Sequence, residues 1–403
     1  MNFPLPGPVA QALDRLNDAG YAAYAVGGCV RDRVLGLTPH DYDICTSARP
    51  GQMQQVFAGE RIIETGIRHG TLTVLLSGMP LEITTFRVDG AYLDGRHPQQ
   101  VQFTGRVEDD LARRDFTINA MAYHPAEGLI DPFGGQADCR AGIIRCVGEP
   151  LRRFEEDALR ILRALRFSAR LGFAIAPETE QAIFLLHERL SCISHERIAA
   201  ELTGLLVAPH ASSLLAQFSP VIFFLLPPLD QPAWDRTLAT LPLLPAQLPL
   251  RLAGLMQGCD TDTARMMLHM LRLPNQLTDD VAGLIAWQYE PLAREKMQWL
   301  LMKLGPEQAR RLVIFQEALQ KAAGDASAQD RAQELLHRLD TLEAENACCS
   351  LRQLQLSGRE LAALGYQGPA IGSMLHQLLE QVTLGQLPND HAVLLAAART
   401  HAP

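Results

Sequence analysis

The sequence predicts a multidomain protein of the α+β class, in which a mixed-sheet head is followed by domains built only of helices. From Tyr21 to about Cys146, short β-type runs alternate with glycine-containing turns, which is typical of a sheet with a few helices. From Glu149 onward the strand signals nearly vanish, and apolar residues recur at helical spacing. A chain of 403 residues is too long for one ordinary core, so about two to four domains are expected.

The predicted elements of the head are short and separated by turn residues. Helices are predicted at residues 5–20, 30–37, 50–57 and 113–123. Strands are predicted at residues 24–26, 42–45, 61–64, 72–76, 81–86, 100–103 and 143–147. The polar stretch 86–103 between two of these strands is expected to be a loop, either solvated or functional. The clearest helix of the chain is predicted at residues 154–173, and a Gly-Pro turn at residues 368–372 is expected to open another.

Composition and charge narrow the class of protein. The longest apolar segment, residues 214–229, is broken by polar residues and prolines, so no membrane span is expected. The N-terminus lacks a signal sequence and the eight cysteines form no C-x-x-C pair, which favours a cytoplasmic protein with reduced thiols. The net charge of −9 argues against a surface that coats nucleic acid. Residues 140–170 nevertheless contain eight arginines and four acids, a composition suited to phosphate recognition.

The stretch YAVGGCVRDRVLGLTPHDYD, residues 24–43, predicts a phosphate site followed by a metal site. A glycine turn that includes Gly28 lets the backbone approach a phosphate at the N-terminus of the next helix. Arg31 in the first turn of that helix opposes the helix dipole, a conflict that a bound phosphate would resolve. Asp41 and Asp43 are expected to share one face of a strand, where their repulsion favours Mg²⁺ between them. Several nucleotide-using folds could supply such a site.

Three further groups of residues are candidates for function, each with a plain structural alternative. Glu82 interrupts an apolar strand and is either a third acid of the metal site or part of a solvated strand face. Arg113 and Arg114 lie at the start of a predicted helix and are either anion ligands or ordinary surface arginines. On the predicted helix 154–173, acids and arginines gather opposite the apolar face. The charged residues of that face either form i,i+4 ion pairs on a solvated surface or form hydrogen bonds with the edge of a nucleobase.

Six motifs in order make the chain similar to the class II tRNA nucleotidyltransferases, the bacterial CCA-adding enzymes, in the form without a phosphohydrolase domain. They are GGCVRD with DYD, GIRHGT, RVDGAYLDGRHP, RRDFTINAMA, DPFGG and EEDALRILRALRF. The resemblance is dense over the first 200 residues and weaker beyond them. It implies a polymerase-β-like head at residues 1–140, a neck at 141–205, a body at 206–270 and a tRNA-binding tail at 271–403.

The resemblance also implies roles for individual residues. Asp41 and Asp43 would hold Mg²⁺, with Glu82 as the third acid, and two metal ions would activate the tRNA 3′-hydroxyl and stabilise the leaving pyrophosphate. Residues that would bind the nucleotide are Gly28, Arg31, Arg114, Glu156, Asp157, Arg160, Arg163 and Arg166. Among these, the Glu156, Asp157 and Arg160 triplet would act as an amino-acid template for CTP and ATP. The partners would be these nucleotides and the 3′ end and acceptor/TΨC region of tRNA.

Relatives with other activities remain as alternatives. Bacterial poly(A) polymerases share the head but carry a longer basic tail, whereas this chain is acidic and ends at Pro403. CC-adding enzymes lack the flexible loop that residues 86–103 match. A-adding enzymes are not separated by these motifs. A non-catalytic RNA-binding protein on the same fold is a further alternative, although it would have no reason to keep repelling acids together.

Overall fold

The structure, a computed structural model, describes residues 3–89, 101–227 and 229–401. The chain divides into two compact units, Met1–Leu226 and Pro227–Pro403. In the described residues, the first unit contains all the strands together with eleven α-helices, and the second unit is helical. This architecture confirms the predicted fold class. The finer division into head, neck, body and tail stays a prediction.

A seven-stranded mixed sheet forms the core of the first unit, with the strand order β3-β4-β5-β2-β1-β8-β9. Neighbouring strands run antiparallel except β2 and β5, which are parallel. The strands are β1 (Ala23–Val26), β2 (Asp43–Thr46), β3 (Arg61–Ile63), β4 (Thr71–Leu76), β5 (Met79–Thr85), β6 (Arg87–Asp89), β7 (Val101–Phe103), β8 (Ala122–His124), β9 (Gly128–Ile130), β10 (Ile143–Ile144) and β11 (Ala174–Ile175). Strands β6 and β7 form an antiparallel ribbon, and β10 pairs with β11. The loop expected at residues 86–103 therefore includes this ribbon, while residues 90–100 lie outside the described part.

Helices of the first unit pack on the sheet and continue beyond it. They are α1 (Gly7–Asp18), α2 (Gly28–Val34), α3 (Pro50–Val56), α4 (Val107–Ala112), α5 (Gly135–Ala141), α6 (Pro150–Glu156), α7 (Leu159–Leu171), α8 (Pro177–Leu186), α9 (His195–Leu206), α10 (Ala211–Gln217) and α11 (Ser219–Leu225). Helix α1 buries Leu13 and Leu16 at helical spacing and packs against β1 and α3. Strands β4 and β5 alternate buried and more exposed residues, so one sheet face is closed and the other carries polar side chains.

Two of the helix predictions for the first unit are wrong. Residues 113–123 do not form a helix: they contain a 3₁₀ turn at Thr117–Asn119 and the start of β8 at Ala122. Tertiary hydrogen bonds compete successfully with helix formation, because the Thr117 amide donates to the Arg145 carbonyl and Phe116 forms a β-bridge with Cys146. Residues 154–173 form the two helices α6 and α7 instead of one.

The break between α6 and α7 lies at Asp157. This residue is extended, with φ −150° and ψ 103°, and its Oδ1 accepts a hydrogen bond from the Leu159 amide at 3.1 Å. A short acidic side chain that bonds its own backbone competes with the helix and favours a new helix start. Helix α7 ends at Leu171 and is followed by Gly172 in the left-handed region.

The second unit is a bundle of helices. They are α12 (Gln231–Thr240), α13 (Leu248–Met256), α14 (Thr261–Met270), α15 (Asn275–Ala286), α16 (Met297–Leu304), α17 (Pro306–Ala322), α18 (Ala328–Ala344), α19 (Gly358–Ala363), α20 (Pro369–Thr383) and α21 (His391–Thr400). Helix α20 begins after Gly368, which has φ 51°, so the predicted Gly-Pro turn does open a helix. In the described part of the chain, no helix has both the length and the apolar character needed to cross a bilayer.

Candidate active site

The acids of the predicted metal site lie at the polar face of the sheet. Asp43 begins β2 and pairs in parallel register with Glu82 on β5, so the two side chains project from one face of adjacent strands. Both are exposed. Asp41 is exposed as well but lies two residues before β2 begins, so the prediction that both aspartates belong to the strand is wrong for Asp41. The partner strand β1 ends at Val26, which pairs with Asp43, and Gly27 then turns into α2, so β2 begins at Asp43.

Asp43 is the acid whose ionisation the site opposes. Burial of its carboxyl among surrounding protein atoms raises its pKa from 3.8 to about 6, although the side chain keeps contact with solvent. The negative charges of Asp41 and Glu82 add to this increase in pKa, while Arg114 counteracts it. The carboxylate group of Asp43 therefore lacks sufficient positive charge around it. This is the electrostatic condition under which a carboxylate gains most from a bound cation.

A glycine turn brings the backbone close to Arg114. Gly27 precedes α2 with φ 80° and ψ −129°, a conformation that side chains disfavour. A Cβ atom at Gly27 would lie 2.9 Å from Nη1 of Arg114, whereas one at Gly28 would meet nothing closer than Nη2 of Arg31 at 3.7 Å. The residue that requires glycine is thus Gly27 and not the predicted Gly28, which starts the helix.

Arg31 already has partners inside the protein. Its side chain is 3% exposed, its Nε and Nη2 donate to Oδ1 of Asp32, and its Nη1 donates to Oδ1 of Asn119 at 2.8 Å. The neighbouring Asp32 therefore neutralises the cation that the sequence reasoning had assigned to a phosphate. The physical reason given for Arg31 as a nucleotide ligand is wrong, and the role itself stays a prediction.

Asp110 fixes the two arginines that follow α4. It is fully buried, its Oδ1 accepts from Nε and Nη2 of Arg113 at 3.0 and 2.8 Å, and its Oδ2 accepts from Nη2 of Arg114 at 3.2 Å. Burial opposes the charge of Arg114, but Asp110, Cys45 and Asp43 together raise its pKa. Arg114 is consequently a permanent cation held next to the acids of the sheet.

A pocket of about 300 Å³ opens beside Arg114. Five arginines, two aspartates and one leucine line it: Arg113, Arg114, Asp115, Asp157, Leu159, Arg160, Arg163 and Arg197. The pocket collects residues from the segment after α4, from the start of α7 and from α9. Its predicted members are Arg114, Asp157, Arg160 and Arg163, while Gly28, Arg31, Glu156 and Arg166 do not line it.

Two charged groups of the predicted template are held rigidly in this pocket. The carboxylate of Asp157 accepts from Nη2 of Arg197 at 2.7 Å. Arg160 is 8% exposed, and its Nη1 donates to Glu156 at 2.8 Å and to the Arg153 carbonyl at 3.1 Å. Arg160 thus forms the i,i+4 ion pair with Glu156 that is one of the two alternatives for this face, but it is nearly buried instead of lying on a solvated surface. Arg197 was assigned no chemistry from the sequence, since its partner is 40 residues away.

The two later arginines of α7 are also tied to acids. Arg163 donates through Nε to Oδ2 of Asp115 at 2.8 Å, and its ion pair with this buried aspartate raises its pKa. Arg166 donates to Oε2 of Glu201 at 2.5 Å. Both guanidinium groups stack over the ring of Phe167, at 5.3 and 4.7 Å from its centroid. Arg163 and Arg166 are therefore held in place by acids that lie far away in the sequence.

The acids fit a divalent ion that other ligands help to bind. Among the described side chains, no three or more histidines, cysteines, aspartates or glutamates converge closely enough to hold a metal ion alone. Mg²⁺ keeps several waters and is commonly bound by one or two carboxylates together with substrate phosphates. The insufficiently neutralised pair Asp41 and Asp43 suits that mode, and it does not suit a metal held entirely by protein side chains.

Family models match three segments of the chain. The Poly A polymerase head domain matches residues 23–145, which include both the acids and Arg114. The probable RNA and SrmB- binding site of polymerase A matches residues 172–218. A putative tRNA nucleotidyltransferase domain 2 matches residues 252–398. The second unit thus has family relatives of its own.

Similar proteins match the chain over nearly its whole length. The CCA-adding enzyme of Limosilactobacillus fermentum is 36% identical, with 97% of this chain and 96% of that protein covered. The CCA-adding enzyme of Lactiplantibacillus plantarum is 37% identical, with 96% and 94% covered. The crystal structure of the Bacillus stearothermophilus CCA-adding enzyme in complex with CTP has a TM-score of 0.82 and 32% identity, with 98% of each chain covered. The Thermotoga maritima CCA-adding enzyme complexed with tRNA shares the fold, with a TM-score of 0.62 at 20% identity.

The sequence motifs, the fold and these full-length relatives agree. A relative that is 36% identical across 97% of the chain leaves no large segment unmatched. The resemblance inferred from the six motifs is therefore confirmed, and the chain belongs to the CCA-adding enzymes, a family of tRNA nucleotidyltransferases.

Proposed function

We propose that this chain adds the sequence CCA to the 3′ end of tRNA, using CTP and ATP and releasing pyrophosphate. One observation carries the proposal: Arg114 borders both the pocket of Asp157 and Arg160 and the acids of the sheet. A nucleotide whose base lies in the pocket would therefore have its phosphates directed toward Asp43. The proposal also agrees with the names of the full-length relatives.

Base choice follows from the donors and acceptors of the pocket. Cytosine and adenine both present an exocyclic amine next to an unprotonated ring nitrogen, whereas uracil and guanine present a carbonyl next to a ring N–H. The carboxylate of Asp157 accepts from an amine, and the guanidinium of Arg160 donates to a ring nitrogen. The pair can therefore accept CTP and ATP and reject UTP and GTP. The contacts of both residues with protein partners hold them in place before the nucleotide arrives.

The phosphates and the attacking hydroxyl would meet at the sheet. Arg114 and the amides at the start of α2 would hold the triphosphate, and Asp41 and Asp43 would hold Mg²⁺ near Glu82. When bound, the ion supplies positive charge for the reacting oxygens. Positioning and charge neutralisation account for most of the catalysis in phosphoryl transfer, so we expect the rigid Arg114 to contribute together with the acids.

The proposal extends to the domains and the site of action. Residues 1–140 would catalyse the reaction, residues 141–205 would select the base, and the helical tail at residues 271–403 would bind the tRNA. Binding of the tRNA would weaken with salt, because arginines such as those at residues 140–170 contact its phosphates. The protein would act in the cytoplasm, where its substrates are found.

Incubation with tRNA that lacks its 3′ end and with labelled CTP and ATP tests the proposal. Three added nucleotides, in the order C, C and A, are the expected result. A single A indicates an A-adding enzyme, a long A tail a poly(A) polymerase, and no addition a non-catalytic RNA-binding protein. Asp41→Ala should abolish incorporation of both nucleotides while tRNA binding persists, and near-normal turnover would refute the assigned acids.

The assigned template is tested by the choice of nucleotide. Arg160→Ala should incorporate UTP or GTP at a rate closer to that of CTP, because the donor to the ring nitrogen is lost. Arg170→Ala is a matched control, since this exposed arginine lies on the same helix but outside the pocket. If the two variants discriminate equally well, the assignment of Arg160 is wrong.

A further inference from the structure

The polar face of the sheet continues past the acids as an open row of side chains. In register across four strands lie Asp43 on β2, Glu82 on β5, Thr73 on β4 and Ile63 on β3. Residues paired across neighbouring strands project from the same face. Glu82 is exposed, Thr73 is half-buried, and Ile63 is 43% exposed although it is apolar.

Within the described part of the first unit, other elements cover the remaining sides of the acids, and this row of side chains stays accessible to a substrate. The opposite face of the sheet is covered, with Ile44, Val74 and Ile83 fully buried. On the polar face, the part of β2 that follows Asp43 is covered, because Cys45 packs in one buried apolar cluster with Phe86 and Leu111. On the other side of β2, the glycine turn before α2 and Arg114 occupy the position where a triphosphate would be held. The side of β5 and β4 is therefore available for the acceptor strand of the RNA to approach Asp43.

Two threonines of β4 project from this face but differ in their partners. The hydroxyl of Thr71 is hydrogen-bonded to that of Thr84 on β5 at 2.9 Å. The hydroxyl of Thr73 has no partner among the residues that the structure describes. A hydroxyl both donates and accepts, so it can bind another hydroxyl in either direction. Thr73 thus offers an unused hydrogen-bonding group one strand away from Glu82.

We propose that Thr73 binds the 2′-hydroxyl of the last ribose of the acceptor strand, and that Ile63 packs against the same nucleotide. The inference rests on the proposed function, because the attacking 3′-hydroxyl has to lie at Asp43 and Glu82. Adjacent strands are about 4.8 Å apart. A ribose whose 3′-hydroxyl lies at Glu82 therefore has its neighbouring 2′-hydroxyl within reach of Thr73. The 2′-hydroxyl is the group that distinguishes RNA from DNA, so Thr73 would make the enzyme prefer an acceptor that ends in RNA.

A double-mutant cycle between protein and substrate tests the contact. Thr73→Val removes the hydroxyl and keeps the shape, and a shortened tRNA ending in 2′-deoxyribose removes the other partner. Each change alone should lower kcat/KM for the RNA about threefold to tenfold, the effect of one hydrogen bond. The two changes together should lower it no further, because both delete the same contact. The KM for CTP should stay unchanged.

Thr71→Val is the matched control on the same strand and face. Its hydroxyl is bonded to Thr84, so this variant should respond to the 2′-deoxy acceptor as the wild type does. Additive effects of Thr73→Val and the deoxy acceptor, or equal kcat/KM for Thr73→Val and wild type, would overturn the inference. These outcomes differ from failure of the proposed function, in which the wild type adds no nucleotide to tRNA at all. Melting temperatures of the variants show whether each one is folded.

Discussion

Replacing Asp43 with asparagine should stabilise the metal-free protein near neutral pH while removing its activity. Burial, together with Asp41 and Glu82, raises the pKa of this carboxyl to about 6, whereas an aspartate in an unfolded chain titrates near about 3.9. The folded state therefore binds the proton more tightly than the unfolded state does. Above a pH of about 6 the ionised carboxyl lowers the free energy of unfolding, and this loss disappears as the pH falls from about 6 toward about 4.

The size of the effect follows from the same two values. The difference between about 3.9 and about 6 corresponds to roughly 3 kcal/mol, which is an upper limit. Because the side chain is exposed at the open face, solvent screening reduces the effect, and we expect about 1 kcal/mol. For a unit that spans Met1–Leu226, this corresponds to an increase in Tm of about 2–4 °C.

Thermal melting of metal-free protein at about pH 7.5 and about pH 4 measures this effect. Asp43→Asn should melt higher than wild type at the first pH and equally at the second. Asp14→Asn, which removes the same charge from the exposed side of α1, should show no such increase. Added Mg²⁺ should raise the Tm of the wild type more than that of Asp43→Asn, because binding to the folded state stabilises it. A lower Tm for Asp43→Asn at about pH 7.5 would refute the electrostatic reasoning.

Two further substitutions test how the site is held together. Gly27→Ala should cost about 1–3 kcal/mol of stability, because it places a side chain in a disfavoured backbone conformation, and its Cβ would lie 2.9 Å from Nη1 of Arg114. Gly28→Ala should lower the Tm much less, and equal melting temperatures of the two variants would contradict this account. Asp115→Asn should cost about 1.5–3 kcal/mol in urea unfolding, because the charged hydrogen bonds from Arg163 are lost. It should also raise the KM for CTP, and an unchanged midpoint with an unchanged KM would show that the ion pair is unimportant.

Local signals explain which parts of the site could be predicted from the sequence. The glycine turn, the helix after it and the strand of Asp43 depend on residues within about twenty positions, so turn chemistry and periodicity are sufficient. The pairing of Asp43 with Glu82 depends on which strand of the sheet lies next to β2. That choice is made by the whole sheet, and the sequence could offer Glu82 only as a candidate.

Partners of arginine side chains that become evident only in the folded chain account for two of the wrong or missing predictions. Arg31 looked like an unmatched cation, because the sequence does not show that Asp32 and Asn119 fold around it. Arg197 gives no functional signal in the sequence, because its partner Asp157 is 40 residues away and meets it where α9 packs on α7. An acid that directly follows a helical arginine, as Asp32 follows Arg31, is the one local signal that could have corrected the first error.

The break at Asp157 connects one error of helix prediction with the function of the pocket. In an unbroken helix over residues 154–173, Arg160 would lie opposite the apolar face and remain mobile in solvent. The extended backbone at Asp157 separates α6 from α7, so that Arg160 is 8% exposed and donates through Nη2 to the Arg113 carbonyl at 3.1 Å. Because residues from three separate segments hold this geometry, base choice should be sensitive to substitutions that never touch the nucleotide. A substitution that restores a continuous helix at Asp157 would weaken discrimination even if Arg160 itself were retained.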